Sequence, residues 1–502
     1  MDQGSTTQFV VFGDSLSDDG NLFAAGEGVI PDELADEFAG FEGRVSNGPT
    51  FVEYLDEAFG FDESENYAVA AGEVLGTQTI GDLIVENDAQ DLVTVPPDDP
   101  RLDFDINIDA QIDRWEADTA GQDISNTTVF YLAGGNDYQN VSGNIITFPI
   151  NALIAVNNVV DGILQDAEDL LDMGVEQVVI SSLPSAEFLP LIADQGLLSD
   201  FADFIVDEHN TELRDGVAEL QNNGADVLFL DLSIITDAIL EDGGMFGFLA
   251  PQQLTLQTGD PAALAEFTED QVAFWDPIHP SAATHAVFAQ FTEAYFTRQV
   301  VELGRAADNQ TFGDEGFMIF GYSDDDALTT GGGDDLIFGG TGDDTLNGGA
   351  GDDILAGGSG EDSLIGGAGS DIIADGWGDD VTDAGDGDDI VIDGLGNDVH
   401  SGGAGDDVFV FFDEGLIGGD AILSPPSNSF DGGTGNDTFI AVVSEALAAE
   451  LQGAQTIQEY LDPLGIVATN VESFELYVGL EEFEAQYGAE QVYVTVDQWG
   501  FV

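Results

Sequence analysis

From Gly321 onward the chain repeats itself every nine residues, and this period restricts its fold more than any other feature. The units "GGTGDDTLN" (339–347), "GGAGDDILA" (348–356), "GGSGEDSLI" (357–365) and "GGAGSDIIA" (366–374) follow one another without insertion. Counting in nines gives ten units from Gly321 to Val410, the first and some middle ones degraded, and a further copy, "GGTGNDTFI", stands alone at 432–440. A short fixed period means that each unit packs on its neighbours, which makes a solenoid. Glycines allow a tight turn whose backbone carbonyls point at one spot. Position six adds a hard anionic oxygen: Asp335, Asp344, Asp353, Asp362, Asp371, Asp380, Asp389, Asp398, Asp407 and, in the separate copy, Asp437. Carbonyl and carboxylate oxygens from successive turns form a cage suited to Ca²⁺. Position eight (Leu346, Leu355, Leu364, Ile373) is apolar and faces inward from a three-residue strand, building a thin core.

Residues 321–410 hold 23 acidic residues and no lysine or arginine. Without a divalent ion such stacked carboxylates repel, so this segment is expected to be unfolded when calcium-free and folded with calcium. The units resemble RTX repeats over roughly a quarter of the chain. That resemblance implies an all-β parallel β-roll with structural Ca²⁺. It also implies a secreted protein and a partner in the type I secretion apparatus, which reads an uncleaved C-terminal signal. The last stretch, "EQVYVTVDQWGFV", fits such a signal or, equally, a capping strand.

The charge extends beyond the repeats. The 502 residues include 100 acidic against 6 basic ones, every basic one an arginine. Of the net −94, the repeats account for −23, leaving −71 on the other 412 residues. Nucleic acid and anionic membrane surfaces would be repelled. Cations must screen such a surface, so salty surroundings such as seawater or brine are the simplest setting. There is no cysteine, which removes disulfides and thiolate metal sites. The N-terminal "MDQGSTTQFVVF" lacks the basic and long apolar regions of a secretory signal. No run of 18 apolar residues spans a membrane. These features suit a cytoplasmic protein or one exported without an N-terminal signal; a monomer without stable membrane anchoring is expected.

Up to about Arg305 the pattern differs. "QFVVF" (8–12), "TVFYLAG" (128–134), "EQVVISS" (176–182) and "ADVLFLDL" (225–232) read as buried strands, with helical patterns between them that end in Gly. Such alternation argues a parallel sheet covered on both faces, with ligands at the carboxyl ends of the strands. Ser15, in "FVVFGDSLSDDGN", and the segment after Leu132 both lie there. A strand, a Gly and a helix-like segment put Ser15 at a strand-to-helix turn, its N–H at a helix N-terminus.

Gly-Asp-Ser alone is a weak signal, since a surface turn has the same composition. The blocks "FGDSLSDDGN", "GRVSNGPTFVEYL" (43–55), "NYAVAAG" (66–72), "LAGGNDY" (132–138) and "FWDPIHPSAATH" (274–285) together resemble, in order, the GDSL or SGNH hydrolase family over about residues 8–300. The likeness is greatest to the branch of plant-type GDSL esterases/lipases and bacterial extracellular lipases. It implies a flavodoxin-like three-layer α/β/α domain that hydrolyses carboxylic esters through an acyl-serine. Ser15 matches the nucleophile, His279 the general base and Asp276 the acid that orients it. The chemistry agrees, because a serine hydroxyl needs a base and the base needs an orienter. A D-x-x-H loop stiffened by Pro277 and Pro280 delivers both.

Of the other histidines, His209 in "VDEHNTELRD" reads as solvated on a polar helix face, His285 as packing or capping, and His400 lies inside the repeats. The family's oxyanion hole takes the Ser15 N–H, an Asn side chain matched by Asn136, and a backbone N–H from the second block. "NYAVAAGEV" departs from the family's N-x-A-x-G-G-A, so either Ala71 or Gly72 supplies that N–H.

The expected organisation is a hydrolase domain over 1–305, a linker over 306–320, the RTX β-roll over 321–440, and a C-terminal cap with secretion signal over 441–502. Residues 82–110 read as a lid or a surface insertion, and "GGMFGFLAPQQL" (243–254) as acyl-pocket lining or core. A small-molecule or lipid ester substrate is expected, with no catalytic cofactor. Lipase, phospholipase, short-chain esterase, deacetylase and acyltransferase activities stay open, and the rival class is a calcium-dependent binding protein with a retired hydrolase domain. A negative field favours protonated imidazole at any catalytic base, so an alkaline optimum that falls with added salt is expected, with neutral or zwitterionic esters preferred.

Overall fold

Five apolar segments of the first half form one parallel sheet: β1 (Gln8–Gly13), β2 (Glu65–Asn66), β3 (Thr127–Leu132), β4 (Gln177–Ser181) and β5 (Val227–Leu230). Their order is β2-β1-β3-β4-β5. The computed structural model describes residues 8–18, 21–25, 46–59, 65–75, 77–80, 82, 96, 99–139, 149–191, 197–241, 248, 254–256, 272–276, 278–303, 306–412, 427–443, 461 and 466–478. The chain divides into two units: Met1–Asp237 with Ala250–Leu264 and Val272–Ala289, and Ala238–Leu249 with Ala265–Gln271 and Gln290–Val502.

In the first unit the described helices are α1 (Asn21–Ala25), α2 (Phe51–Phe59), α3 (Ile108–Asp118), α4 (Gly135–Gln139), α5 (Pro149–Met173), α6 (Leu197–Asn222), most of α7 (Leu232–Glu241) and the first half of α8 (Ala282–Thr297). Strand residues alternate between faces. Val10, Phe12, Val129, Tyr131, Val178 and Ile180 share a core with Trp115 of α3, Val156 and Ile163 of α5, and Leu213 and Val217 of α6. On the other face, Phe130 meets Phe9 and, edge-on at 5.6 Å, Phe51 of α2. Both faces are covered, which is why the strands are apolar throughout rather than alternating. This order is the flavodoxin-like one: from β1 the chain goes one way to β2, then crosses back to β3. The connections diverge at β1 and β3, and a crevice opens at their carboxyl ends.

In the second unit the repeats form a β-roll. Two parallel sheets, of nine and eight strands among the described residues, take alternate strands of the chain. One turn therefore uses two units, 18 residues, as in the pairs Leu346↔Leu364 and Leu355↔Ile373. Leu328, Ile337, Leu346, Leu355, Leu364, Ile373, Val391 and Phe409 line its buried core.

The segment 306–320 is not a linker. Asn309–Thr311 and Phe317–Phe320 are strands of the two sheets, and Gln299–Glu302 pairs in parallel with Phe317–Phe320. A ladder needs only backbone N–H and C=O groups, so the first turns form without the glycine and aspartate signature. At the far end Val467–Thr469 and Ser473–Val478 add the last strands among the described residues. The stretch 490–502 lies outside the described residues. Among the described residues no helix is long and apolar enough to cross a membrane.

Candidate active site

The crevice between β1 and β3 begins at Gly13. A Cβ there would lie 2.7 Å from the Leu132 carbonyl oxygen, so only glycine lets the two strand ends approach this closely. The buried Gln111 of α3 grips the same residue: its Oε1 accepts the Gly13 N–H (3.0 Å) and its Nε2 donates to the Gly13 carbonyl (2.9 Å). The chain then turns sharply, the N–H groups of Ser17 and Asp18 both donating to the Asp14 carbonyl. Ser15 rides on this turn, partly exposed. The first helix starts only at Asn21, so the turn, not a helix N-terminus, aims the Ser15 N–H.

His279 comes from a loop closed on itself: Ser281 N–H donates to the Ala273 carbonyl (2.9 Å) and Trp275 N–H to the His279 carbonyl (2.9 Å). The loop docks on "SNG" of the second block. Asn47 Oδ1 accepts the Ala282 N–H (2.7 Å), and a Cβ on Gly48 would sit 2.7 Å from that of Ala282. The result brings Ser15 and His279 together across 264 positions: the Ser15 hydroxyl lies 2.9 Å from His279 Nε2. On the other ring nitrogen, Nδ1–H donates to Asp276 Oδ2 at 2.8 Å. Burial alone would raise the Asp276 carboxyl, but the His279 imidazole and the N–H groups of Ile278 and His279 outweigh it and hold the group below its ordinary range. Asp276 is therefore a carboxylate, and its partner is fixed as the tautomer with a free lone pair at Nε2.

Asn136 lies at the start of α4, directly after β3, with its Nδ2 donating to the Gly72 carbonyl (3.1 Å). Next to it Asp137 receives the N–H groups of Val74 (2.9 Å) and Leu75 (3.0 Å), locking the second block to the fourth. Gly72 spends its own N–H on the Val69 carbonyl (3.0 Å), which removes it as an oxyanion donor. Ala71, beside it, adopts a left-handed backbone (φ 65°), the conformation for which glycine is the usual choice.

His209 corrects the solvated reading. It is fully buried, and its Nδ1 is hydrogen-bonded to the Tyr138 hydroxyl at 2.7 Å. Burial pulls its imidazole down to about 4, so it is neutral. His285 stacks on Phe51 (6.4 Å) and is likewise kept neutral by burial. Two further residues that sequence reasoning passed over hold the site: Gln111, for which the sequence carries no signal, and Asp18. Asp18 Oδ2 accepts the Ala70 N–H (2.7 Å) and joins the serine turn to the second block. Of the segment 82–110, residues 83–95, 97 and 98 lie outside the described residues. Its remaining end is tied down, Ile106 N–H donating to the Gln78 carbonyl (2.9 Å) before α3 begins. Within 243–254 only Phe248 and Leu254 are described, and Phe248 is buried.

Residues 9–291 match the family model of GDSL-like lipases/acylhydrolases, more than half of the chain. The chain belongs to this family. A GDSL esterase/lipase of Arabidopsis thaliana is 24% identical over 323 residues, covering 56% of this chain and 84% of the relative. A solved structure described as a gut microbial diltiazem-metabolizing enzyme aligns with 62% of the chain and 50% of its own, at 13% identity and a TM-score of 0.30, too slight a likeness to argue from. This GDSL-family chain also matches the RTX calcium-binding nonapeptide repeat at 320–355, 356–391 and 375–409.

The position-six aspartates fit that cation. Except in Asp335, whose Oδ1 accepts the Phe317 N–H, each Oδ1 accepts the backbone N–H of the aspartate one turn earlier, as in Asp335 to Asp353 (2.8 Å), Asp353 to Asp371 (2.8 Å) and Asp380 to Asp398 (2.9 Å). The Oδ2 atoms of Asp344, Asp353, Asp371, Asp380, Asp389, Asp407 and Asp437 are buried without a hydrogen-bond partner. Burial and then the neighbouring aspartates push Asp344 and Asp353 up to about 7 and Asp380 to about 8. Two rows of orphaned carboxylate oxygens beside turn carbonyls are a donor set for a hard cation. Asp326 belongs to the same row, its N–H donating to Asp344 Oδ1 at 2.8 Å and its Oδ2 buried. Counting in nines from Gly321 places it at position six, a signal hidden because the first unit is degraded.

Proposed function

We propose that the protein is a secreted carboxylic ester hydrolase acting through an acyl-serine, with a β-roll that folds around structural calcium. The observation that carries this reading is the 2.9 Å approach of the Ser15 hydroxyl to His279 Nε2, backed by Asp276. Ser15 Oγ attacks the acyl carbon while its proton passes to His279 Nε2. Asp276 keeps the imidazole oriented and stabilises the imidazolium. The oxyanion of the tetrahedral intermediate is held by the N–H groups of Ser15 and Ala71 and by Asn136 Nδ2, which the Gly72 carbonyl steers. His279 then protonates the departing alkoxide, and the same histidine activates the water that frees Ser15. Every proton is accounted for by these side chains and water.

Calcium acts on the roll, through Asp326, Asp335, Asp344, Asp353, Asp362, Asp371, Asp380, Asp389, Asp398, Asp407 and Asp437, by neutralising the rows and so allowing the turns to stack. Export by a type I apparatus accords with the repeats. The test is hydrolysis of p-nitrophenyl esters of graded chain length in excess calcium. Wild type is expected to turn them over, and Ser15→Ala to lose at least about 10³-fold. Absence of hydrolysis by wild type at every chain length would favour a binding protein, and equal rates in both forms would remove Ser15 from the chemistry.

A further inference from the structure

The core of the roll is interrupted by polar residues at one place. In the units 375–383 and 393–401, position one is Asp375 and Asp393 instead of glycine, and position eight is Thr382 and His400 instead of an aliphatic or aromatic residue. The unit between them keeps Ala384 and Val391. Because one turn is 18 residues, the four substitutions fall in two adjacent turns: Thr382 and His400 are register partners in one sheet, and Asp375 and Asp393 lie in paired neighbouring strands of the other.

With Asp398 they build a compact interior cluster. One donor atom from each of Asp375, Asp393, Asp398 and His400 lies within 4.8 Å of all the others, and every one of these residues is at most 1% exposed. His400 Nε2 stands 2.8 Å from Asp393 Oδ1 and 3.4 Å from Asp375 Oδ2. Asn428 occupies the position-six slot of the next turn, accepting the Asp398 N–H, and turns its Nδ2 onto both oxygens of Asp393 (3.0 and 2.9 Å). His400 is held flat against Phe430, ring centroids 4.8 Å apart.

An independent observation shows that the cluster is incomplete. Thr382 Oγ1, Asp375 Oδ2 and Asp398 Oδ2 are buried and have no hydrogen-bond partner. The segment 321–410 that supplies these three carboxylates contains no lysine or arginine. Buried carboxylates without a cation are costly.

We propose that this layer is a second kind of metal site, holding one divalent transition ion of the zinc class, bound by His400 Nε2, Asp375 and Asp393 and by Asp398 Oδ2, an oxygen it shares with the calcium row. The calcium rows offer only oxygens, and Ca²⁺ takes six to eight of them. Here an imidazole nitrogen and three carboxylates converge as four donors, the number and type that suit Zn²⁺ or its relatives. The ion enters as the turns close and staples two turns from inside.

Full-length protein produced in cobalt(II)-supplemented medium and exchanged into excess calcium tests the assignment, cobalt serving as the spectroscopic probe. About one cobalt per chain is expected to survive exchange, with the strong visible absorption of a four-coordinate ion. His400→Leu and Asp375→Gly restore the residue types of the other units, so both should fold with calcium by circular dichroism. Both are expected to lose the retained cobalt and the absorption. Retention no greater in wild type than in the variants, or only the weak spectrum of a six-coordinate ion, would overturn the proposal.

Discussion

Ala71 and Gly72 stand side by side and are constrained in opposite ways. Ala71 holds a left-handed backbone that its own methyl group resists, at about 1–2 kcal/mol. Ala71→Gly releases that strain while making the unfolded chain freer by about 0.4–1 kcal/mol. A net gain of up to about 1 kcal/mol is expected in denaturant unfolding of the first unit, with the donor N–H retained. Gly72→Ala works the other way, because its Cβ would lie 2.9 Å from the Ile106 carbonyl oxygen and push the carbonyl that steers Asn136. Removing the steered amide itself, Asn136→Ala, is expected to lower kcat by about 10²–10³ with little change in KM, as for loss of one oxyanion donor. Unchanged kcat would take Asn136 out of the hole. The Asp276–His279 pair was legible in the sequence because four consecutive residues of one loop carry both members, and the pairing with Ser15 only through the order of the blocks. His209 was misread because its immediate neighbours are charged. Its true environment was in the spacing: Ile205, His209, Leu213 and Val217 recur every four residues on the buried stripe of α6.

At the scale of the element, the roll turns on how its aspartates titrate. Burial, with neighbouring carboxylates adding to it, raises Asp371, Asp389 and Asp407 to about 6, Asp344 and Asp353 to about 7 and Asp380 to about 8. Each group thus holds its proton more tightly in the folded roll than in the unfolded chain. Stability from this source is intact near pH 4 and drains away as pH climbs through about 6 to 8. In chelator, the folded fraction of the roll followed by circular dichroism is expected to fall over that window. With saturating calcium it should not fall, and calcium affinity should weaken as pH drops from 8 to 6, because the ion must displace protons. A calcium-free roll that gains stability with rising pH would refute the assignment of these carboxylates. The repeat sequence announced this element by its period, and its core by position eight. What it hid were the strands before Gly321 and after Val443. These are held by ladder bonds to neighbours already in place, so no glycine or aspartate signature is needed.

Across the whole molecule the decisive quantity is the net charge of −94, most of it outside the repeats. Screening shortens the reach of each surface charge from about 10 Å at 0.1 M salt to about 3 Å at 1 M. Distant carboxylates each contribute only tenths of a kcal/mol, but many act together. Calcium must be kept saturating at both, so that the roll stays folded and only the field changes. The same field repels an anionic ester on approach, so salt should raise kcat/KM for an anionic ester by a larger factor than for a neutral ester of equal chain length. Equal salt responses for the two esters would mean that the surface charge serves solubility and ion binding and does not reach the crevice at Ser15.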